Sequence, residues 1–313
     1  MTSTIPRSQA VVPAERGTAW LRRRNRRPSH AGWAFVSLYT VLLIVFGLIP
    51  AVYAVYLSLT NSLGQFVGLG QFVKVAQDYR FVGAFVNIGI YVGIWLAVLL
   101  VFTVSLALII HRQARFVSSS LRFLFYIPGA LAGVASVMVW LFMLDPSSSP
   151  FAGLLHAIGL DSFPEVVLPD HLAVIFVIMA FWTGAGGWIV VMYGALNNIP
   201  VEVLDAARID GANAWQTAVQ IQLPLIAKWV VYMAILAFAA GTQLFVEPAL
   251  ISSASLGATN PTWTPNQLAF LYAFQNNDFN GAAAIALYLL VIGLAGALFL
   301  VLRSGLFKIE EEE

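Results

Sequence analysis

A polar segment interrupts the apolar sequence of this chain and reads Pro200-Val-Glu-Val-Leu-Asp-Ala-Ala-Arg-Ile-Asp-Gly-Ala-Asn-Ala-Trp-Gln-Thr-Ala-Val-Gln-Ile-Gln-Leu-Pro224. Apolar runs of the length that crosses a bilayer, about 20 residues, lie on both sides of it. We therefore expect this segment to lie folded at a membrane surface, outside the lipid, where another protein can bind it.

The composition of the whole chain supports a membrane location. Hydrophobic residues make up 60% of the 313 residues and charged residues 10%, whereas a soluble domain carries roughly 25% charged residues. The chain contains no cysteine, so neither a disulfide framework nor a thiolate metal site can be proposed. The composition excludes an ordinary soluble domain.

Six apolar stretches have the length of a membrane-spanning helix. They lie at 33–57, 81–110, 121–144, 172–196, 227–250 and 281–302. Each is a continuous apolar run rather than an alternating one, which favours helices over the strands of a barrel. The predicted fold class is therefore an all-α polytopic membrane protein with six transmembrane helices.

The distribution of basic residues predicts the orientation, because Lys and Arg accumulate in cytoplasmic loops. The chain has 16 Lys and Arg residues. All except Lys74 and Arg80 lie in the N-terminal tail, beside the loops that follow the second and fourth spans, or after the sixth span. We expect both termini and the loop 197–224 to be cytoplasmic.

The chain is predicted to form one membrane domain, 33–303, between two short tails. Residues 1–32 form an Arg-rich cytoplasmic tail that sets the orientation, and residues 304–313 form an acidic cytoplasmic tail. No small-residue cleavage site precedes the first span, which is also longer than the apolar part of a signal peptide. We expect this span to remain as an anchor.

The polar segment is predicted to form a helix, a turn and a second helix. Pro200 suits the first turn of a helix, where its missing amide hydrogen is not needed. Asp210 and Gly211 end that helix, because glycine adopts the backbone angles of a sharp reversal. A second helix then runs to Pro224. The alternative, from the residues alone, is a generic amphipathic loop at the interface.

The same residues carry a resemblance to a known family. The segment from Asn198 to Pro224 resembles the EAA signature of permease subunits in binding-protein-dependent ABC importers, and is most similar to the maltose-type sugar permeases. Weaker similarities occur at 126–128, 139–140, 153–155 and 278–284. One position departs from the family pattern, because Asp205 stands where the family usually has glutamate.

The resemblance implies the fold of a type I ABC importer permease in the inner membrane of a bacterial cell. In that family the loop 197–224 docks its first helix into a cleft of an ATPase subunit and transmits ATP-driven closure. The implied partners are two ATPases, which bind ATP and Mg, a second permease subunit in a heterodimeric pair, an external solute-binding protein and membrane lipid. The implied coupling residues are Glu202, Asp205, Ala206, Ala207, Asp210, Gly211 and Pro224.

The chain shows no sequence signature of an enzyme. It lacks the GxxxxGK motif that cradles phosphate groups and the GxSxG motif of a serine nucleophile. Its four histidines are scattered without the spacing of a zinc helix. We therefore predict no catalytic residues, no metal site, no cofactor bound by this chain and no nucleic-acid partner.

A solute path should be lined by the rare polar and aromatic residues of the spans. Polar groups are costly in lipid and tend to face a cavity or another helix. Aromatic rings can stack on a sugar ring, although packing uses the same residues. The candidates are Asn87, Trp182, Gln243 and Glu247. For Asn87, helix packing is the simpler interpretation, and Glu247 is equally compatible with a solvated charge.

The outer loop 252–280 is rich in amides that can hydrogen-bond to water, a solute or a docked protein. A plain solvated loop is the simpler expectation for such a composition.

The expected function is transport of a sugar or sugar-like solute through half of an ATP-driven import path. Permeases for glycerol phosphate or another polyol are close alternatives. A secondary transporter driven by an ion gradient is a different class, and it would favour paired inverted halves and carboxylates at the midplane. An integral-membrane enzyme is made remote by the missing motifs.

Overall fold

The computed structural model describes residues 30–131 and 133–304. Most of the two predicted tails, at 1–29 and 305–313, lies outside these ranges. Within them the chain is helical, with one isolated bridge between Thr60 and Phe66. Two compact units are distinguished along the chain, Met1–Ala51 and Val52–Glu313. The site described below belongs to the second unit.

The described residues form sixteen α-helices, some of them joined by short π or 3-10 turns. In chain order they are α1 (His30–Leu43), α2 (Ile49–Ser58), α3 (Gly70–Ala76), α4 (Tyr79–His111), α5 (Arg115–Tyr126), α6 (Val134–Leu144), α7 (Ala152–Ala157), α8 (Phe163–Val166), α9 (Pro169–Asn197), α10 (Val201–Ile209), α11 (Ala214–Gln216), α12 (Leu223–Leu225), α13 (Ala227–Gly241), α14 (Val246–Ala254), α15 (Pro265–Phe270) and α16 (Phe279–Ser304).

Four of the predicted spans are single helices long and apolar enough to cross a membrane. They lie at Val36–Ser58, Tyr79–His111, Pro169–Asn197 and Phe279–Arg303, within a few residues of the predicted limits. Local chemistry explains where two of them start. The Asp78 side chain caps α4 by accepting a hydrogen bond from the Arg80 amide, and a proline opens α9, where no amide hydrogen is needed.

The predicted third span, 121–144, was wrong as one continuous helix. The chain forms α5, a 3-10 turn at Ile127–Ala130 and then α6, and it changes direction sharply between these helices. Pro128 lies in the 3-10 turn, and Gly133 has a φ of 58°. Positive φ is a conformation that glycine adopts without strain. An apolar composition could not reveal this break.

The predicted fifth span, 227–250, was also wrong as one helix. Helix α13 ends at Gly241, and α14 begins at Val246. Pro248 explains the interruption, because inside a longer helix it would remove a hydrogen bond to residue 244 and clash with that carbonyl. In the first turn of α14 it does neither. The Asn266 amide nitrogen instead lies 3.5 Å from the carbonyl oxygen of Leu244.

On the N-terminal side of α13, helical structure continues into the predicted cytoplasmic loop. Helix α11 continues through a π turn at Thr217–Gln222 into α12, and a bend of 67° at Ile226 separates this run from α13. The structure therefore contains four straight candidate spans, or up to six if each bent pair is one span.

The core of the second unit lies between α4, α9 and α13. Leu99, Phe176, Met192 and Met233 are buried in one apolar cluster contributed by these three helices. Close packing of such side chains makes the arrangement rigid. These three helices also form the walls of the cavity described below.

The outer loop 252–280 is not the plain solvated loop that its composition suggested. It contains α15 and a π turn at Leu271–Gln275, and Thr264 and Gln267 form a capping box at the start of α15. Trp263 is buried and its ring lies edge-on to Phe176, with 5.1 Å between the ring centroids. The loop is therefore part of the packed structure.

Candidate functional site

The first half of the loop 197–224 is helix α10 and the turn that ends it. Pro200 precedes α10, and Asp210 is its C-cap residue. Gly211 has a φ of 80°, and its amide donates a hydrogen bond of 3.1 Å to the Arg208 carbonyl. The Ala212 amide donates to the Ala207 carbonyl at 3.0 Å. Such bonds are typical of a helix that ends in a left-handed glycine.

The second half of the loop starts at a reciprocal cap. The Asn213 side chain accepts hydrogen bonds from the amides of Trp215 and Gln216, and the Gln216 side chain accepts one from the Asn213 amide at 2.8 Å. The helical run then continues to Leu225. Pro224 lies within α12, near its start, so the run does not end at this proline as the sequence suggested but two residues later, at Ile226.

The predicted coupling residues divide between the surface and the interior of the chain. Glu202, Asp205, Ala206, Asp210, Gly211 and Pro224 are exposed. Ala207 is the exception among the predicted residues, since only 5% of it is exposed. The Asp205 carboxylate accepts a 2.8 Å hydrogen bond from Arg208, one turn later on the same helix, and both side chains face solvent.

A contact between distant residues links this loop to the membrane helices. The Arg112 guanidinium, at the end of α4, donates a hydrogen bond to the Ala214 carbonyl at the start of α11. A second arginine, Arg122 of α5, lies 3.8 Å from the centre of the Tyr193 ring of α9. From the sequence these arginines were interpreted only as orientation signals. Charge counting cannot reveal a contact across 102 residues.

A cavity with polar and aromatic walls lies between α4, α9, α13 and the break after α13. Its volume is about 470 Å³. The residues that give it chemical character are Tyr91, Trp95, Thr183, Trp188, Gln243 and Glu247. Cavities of this volume are in the range that binds small molecules. Aromatic faces and hydrogen-bonding groups converge here, which is a combination suited to an uncharged polar solute.

The structure brings two of the four predicted path residues to this cavity. Gln243 lies in the break after α13, and Glu247 lies in the first turn of α14, so they do not share the one continuous helix that the predicted span 227–250 implied. The break exposes Gln243 and directs both residues to the cavity wall.

The other two predicted path residues make contacts elsewhere. The Asn87 amide donates a 3.2 Å hydrogen bond to the Trp263 carbonyl and so attaches the outer loop to α4. The Trp182 ring lies edge-on to Trp140 of α6, with centroids 5.8 Å apart. Sequence reasoning missed Tyr91 and Trp95 as cavity residues. Tyr91 and Trp95 are four residues apart on one helix face, which was the available signal.

A polar network joins the outer loop to the start of α4. The Arg80 guanidinium and the Asp78 carboxylate are 2.6 Å apart, and the Tyr272 hydroxyl donates a 2.7 Å hydrogen bond to the same carboxylate. Hydrogen bonds from Arg80 hold the pKa of Asp78 well below its ordinary value of 3.8. Burial, followed by the bond to Asp78, raises the pKa of Tyr272 to about 12. Asp78 is therefore charged and Tyr272 neutral at physiological pH.

A second ion pair extends the network. Lys74 of α3 and Asp278 lie 2.7 Å apart, and Asp278 also accepts a hydrogen bond from the Gly281 amide at the start of α16. Within 30–131 and 133–304, no group of three or more His, Cys, Asp or Glu side chains is arranged to hold a metal ion. The charged residues of this network thus link α3, α4, α16 and the outer loop.

Several proteins of similar sequence are named as permeases. AglF of Rhizobium meliloti, an alpha-glucoside transport system permease protein, is 28% identical over 90% of this chain and 85% of its own length. MsmF of Streptococcus mutans, a multiple sugar-binding transport system permease protein, is 28% identical over 85% of this chain and 93% of its own. AmyD of Thermoanaerobacterium thermosulfurigenes, a probable starch degradation products transport system permease protein, is 24% identical over 83% of this chain and 89% of its own length.

The fold is shared with solved structures of a transporter. One chain of a bacterial ABC transporter that imports the acidic polysaccharide alginate matches 90% of this chain and 96% of its own length, with a TM-score of 0.75 and 20% identity. A chain from that transporter bound to a periplasmic protein carrying an alginate pentasaccharide gives a TM-score of 0.73. At this identity the likeness establishes the fold.

The family assignment follows from a match over most of the chain. The family described as "Binding-protein-dependent transport system inner membrane component" matches residues 89–306. This range contains α9, the loop 197–224 and the residues of the cavity. It confirms the family resemblance drawn from the EAA-like segment. The chain is therefore a member of the family of binding-protein-dependent transport system inner membrane components, a multi-pass membrane transport permease and not an enzyme.

Proposed function

We propose that this chain is one permease subunit of an ATP-driven importer and forms half of the path for a sugar or sugar-like solute. The observation that carries the proposal is the cavity of about 470 Å³ lined by Trp95, Trp188 and Glu247. The relatives are named as permeases for alpha-glucosides, multiple sugars and starch degradation products. An external binding protein delivers the solute.

The cavity has the chemistry that a sugar requires. A sugar ring presents apolar C–H faces that pack on aromatic rings, and Tyr91, Trp95 and Trp188 supply such rings. Its hydroxyl groups need hydrogen-bond partners, which Gln243 and Glu247 supply. The carboxylate of Glu247 disfavours a phosphorylated solute, because like charges repel. A neutral sugar therefore fits better than glycerol phosphate.

The loop 197–224 couples this path to ATP hydrolysis. Helix α10 presents Glu202, Asp205 and Ala206 to solvent, and its small and charged side chains suit close docking into an ATPase subunit. ATP and Mg bind to two such ATPases, and this chain binds no cofactor. The loop is an ordered unit, because Gly211 fixes its turn and Arg112 contacts Ala214. It can therefore transmit force to α4.

The topology follows from counting each bent helix pair as one span. With six spans both termini lie on the same side as the loop 197–224, and the distribution of Lys and Arg supports the proposal that this is the cytoplasmic side of a bacterial inner membrane. A second permease subunit, in a heterodimeric pair, supplies the other half of the path.

The test is uptake by the complete complex, purified and reconstituted into vesicles with its binding protein. We expect uptake of a labelled sugar to require ATP inside the vesicles and to persist when ionophores remove the proton and sodium gradients. The purified complex should contain two ATPase subunits. Uptake that follows an ion gradient without ATP would contradict the proposal and support a secondary transporter.

A further inference from the structure

The Arg112 side chain lies at the point where α4 leaves its candidate span. The span ends at His111, and Arg112 is the C-cap residue of α4. One guanidinium nitrogen donates to the Ala214 carbonyl. Arginine has five N–H donors in a planar fork, so the remaining donors are available to a further acceptor. A cationic group at a helix end beside the lipid is well placed to meet a lipid headgroup.

An apolar groove of about 310 Å³ begins at this arginine. It is lined on one side by Ser105, Leu108 and Ile109 of α4 and on the other by Ala214, Trp215 and Ala218. Ile109 is 54% exposed and Trp215 is 75% exposed, so the groove is open at the surface of the chain. Its lining, mostly apolar with one cationic side chain, suits a hydrocarbon chain that carries an anionic group.

We propose that an anionic phospholipid binds this groove, with its phosphate on Arg112 and an acyl chain between α4 and Trp215. Guanidinium and phosphate form paired, charge-assisted hydrogen bonds. The seven lining residues include no carboxylate that would repel the phosphate. Tryptophan is enriched at the level of lipid headgroups, because its ring is amphipathic.

The apolar walls distinguish a lipid from a soluble anion. A free phosphate would use Arg112 alone and leave Leu108, Ile109 and Trp215 exposed to water, whereas an acyl chain covers them and removes apolar surface from water. The walls of the groove come from α4 and from Ala214 to Ala218 and include no residue of α10, on which the docking surface is proposed.

The position of the site predicts what the lipid does. Arg112 bridges α4 and the start of α11, so a phosphate on the same guanidinium reinforces the link between the membrane helix and the second half of the loop. This consequence for coupling rests on the function proposed above. The lipid site itself does not, and its test measures binding rather than transport.

The test uses the purified complex in phosphatidylcholine vesicles that contain a trace of spin-labelled phosphatidylglycerol or spin-labelled phosphatidylcholine. The motionally restricted fraction of each label gives the preference for the anionic lipid. We expect Arg112→Gln to lower this preference about fivefold, the effect of one basic residue beside an anionic lipid. Arg112→Lys should retain most of it. Arg115→Gln removes the same charge three residues away, outside the groove, and should leave the preference unchanged.

Three results would overturn the lipid site. They are an unchanged preference in Arg112→Gln, an equal loss in Arg115→Gln, or displacement of the labelled lipid by inorganic phosphate at constant ionic strength. Trp215→Ala provides an independent check on the acyl chain, because it should reduce the restricted fraction of both labels. Normal restriction of both labels in this variant would contradict the assignment of the groove. Uptake is not measured, so the outcome is separate from that of the transport proposal.

Discussion

Gly211 is the residue on which the shape of the coupling loop depends. Its φ of 80° is a left-handed conformation, and an added Cβ would meet no atom within 4 Å. Backbone strain alone, roughly 1–2 kcal/mol for a residue other than glycine, therefore opposes substitution, and a β-branched side chain adds to it. We expect Gly211→Val to abolish ATP-dependent uptake by the reconstituted complex while the chain still inserts into the membrane.

Asparagine provides the matched control at this position. It tolerates the left-handed conformation better than other non-glycine residues, and the open space around Gly211 accommodates its side chain. Gly211→Asn should keep most of the uptake. Normal substrate-stimulated ATP hydrolysis in the Gly211→Val complex would show that the turn has no role in coupling.

Substitutions of two tryptophans of α9 test which of them contributes to the solute path. Trp188 lines the cavity, whereas Trp182 lies against Trp140. Loss of one aromatic contact to a sugar removes about 1 kcal/mol beyond the buried area, and the lost area adds a similar amount. Because Trp188 also packs on Tyr232, we expect Trp188→Ala to lower the thermal midpoint, and to lower the rate of sugar uptake, measured per folded complex, about tenfold.

Trp182→Ala is the comparison for that experiment. It should lower the thermal midpoint of the purified chain, because it removes the contact with Trp140. Its uptake, measured per folded complex, should remain within about twofold of the uptake by the unmodified chain. Because RT is about 0.6 kcal/mol, a twofold change in rate corresponds to only a small change in free energy. Equal losses of uptake in the two variants would indicate that the cavity does not carry the solute.

At the scale of elements, Gly186 allows α9 to pack directly on α5. A Cβ at this position would overlap the backbone of Phe125, which cannot move aside as a side chain can. Overpacking of this kind typically costs about 1–3 kcal/mol. We expect Gly186→Ala to lower the thermal midpoint and the yield of folded chain in detergent. Gly187→Ala is the neighbouring control, because a Cβ there meets no atom within 4 Å.

The outer network joins α4 to the packed outer loop and has a defined pH dependence. Asp78 is paired with Arg80 and Tyr272. Because folding lowers the pKa of Asp78 below 3.8, its contribution to stability is fully present above that pH and decreases as the pH falls further. We expect Asp78→Asn to lower the thermal midpoint at pH 7 by about 3 °C or more, with a difference that shrinks below pH 3.8.

An exposed carboxylate serves as the control for the network. Asp161 is 74% exposed and pairs with His156 at the surface. Exposed pairs contribute little, so Asp161→Asn should shift the midpoint at pH 7 by less than about 1 °C. A similar shift in both variants, or a difference for Asp78→Asn that stays constant below pH 3.8, would contradict the role of the network.

The elements that could be predicted from the sequence are those that depend on composition and spacing alone. Tyr79–His111 and Pro169–Asn197 are continuous apolar helices with caps of known chemistry, and both were located to within a few residues. Helix α10 and its glycine turn follow from the residue types at Pro200 and Gly211. In each case the local sequence contains the whole physical cause.

The elements that could not be predicted depend on contacts between distant residues. The break after α13 is favoured by Pro248, but the Asn266 side chain near Leu244 is visible only in the folded chain. The burial of Trp263 depends on Phe176, which lies in another helix. For the same reason the cavity combines Trp95 with Glu247, residues that no motif connects.

For the whole molecule, the topology depends on whether each bent helix pair crosses the membrane. With six spans, the segment between α6 and α9 is outside and the loop 197–224 is cytoplasmic. With only the four straight spans crossing, both segments change sides, whereas the loop 252–280 stays outside in either case. The sequence favours six spans. Four spans would place Arg112 and Arg208 on opposite sides of the membrane, so fewer of the basic residues would lie in the cytoplasm.

The absence of cysteine from the chain makes this topology directly measurable. Single cysteines can replace Ser148, Gln220 and Ser253, which are all exposed. In intact cells with a permeabilised outer membrane, we expect a membrane-impermeant maleimide to label Ser148→Cys and Ser253→Cys, and to label Gln220→Cys only after the inner membrane is opened. Ser253→Cys is the positive control, because both topologies place it outside. Labelling of Gln220→Cys from outside together with protection of Ser148→Cys would establish four spans, and it would remove the coupling loop from the side on which ATP is available.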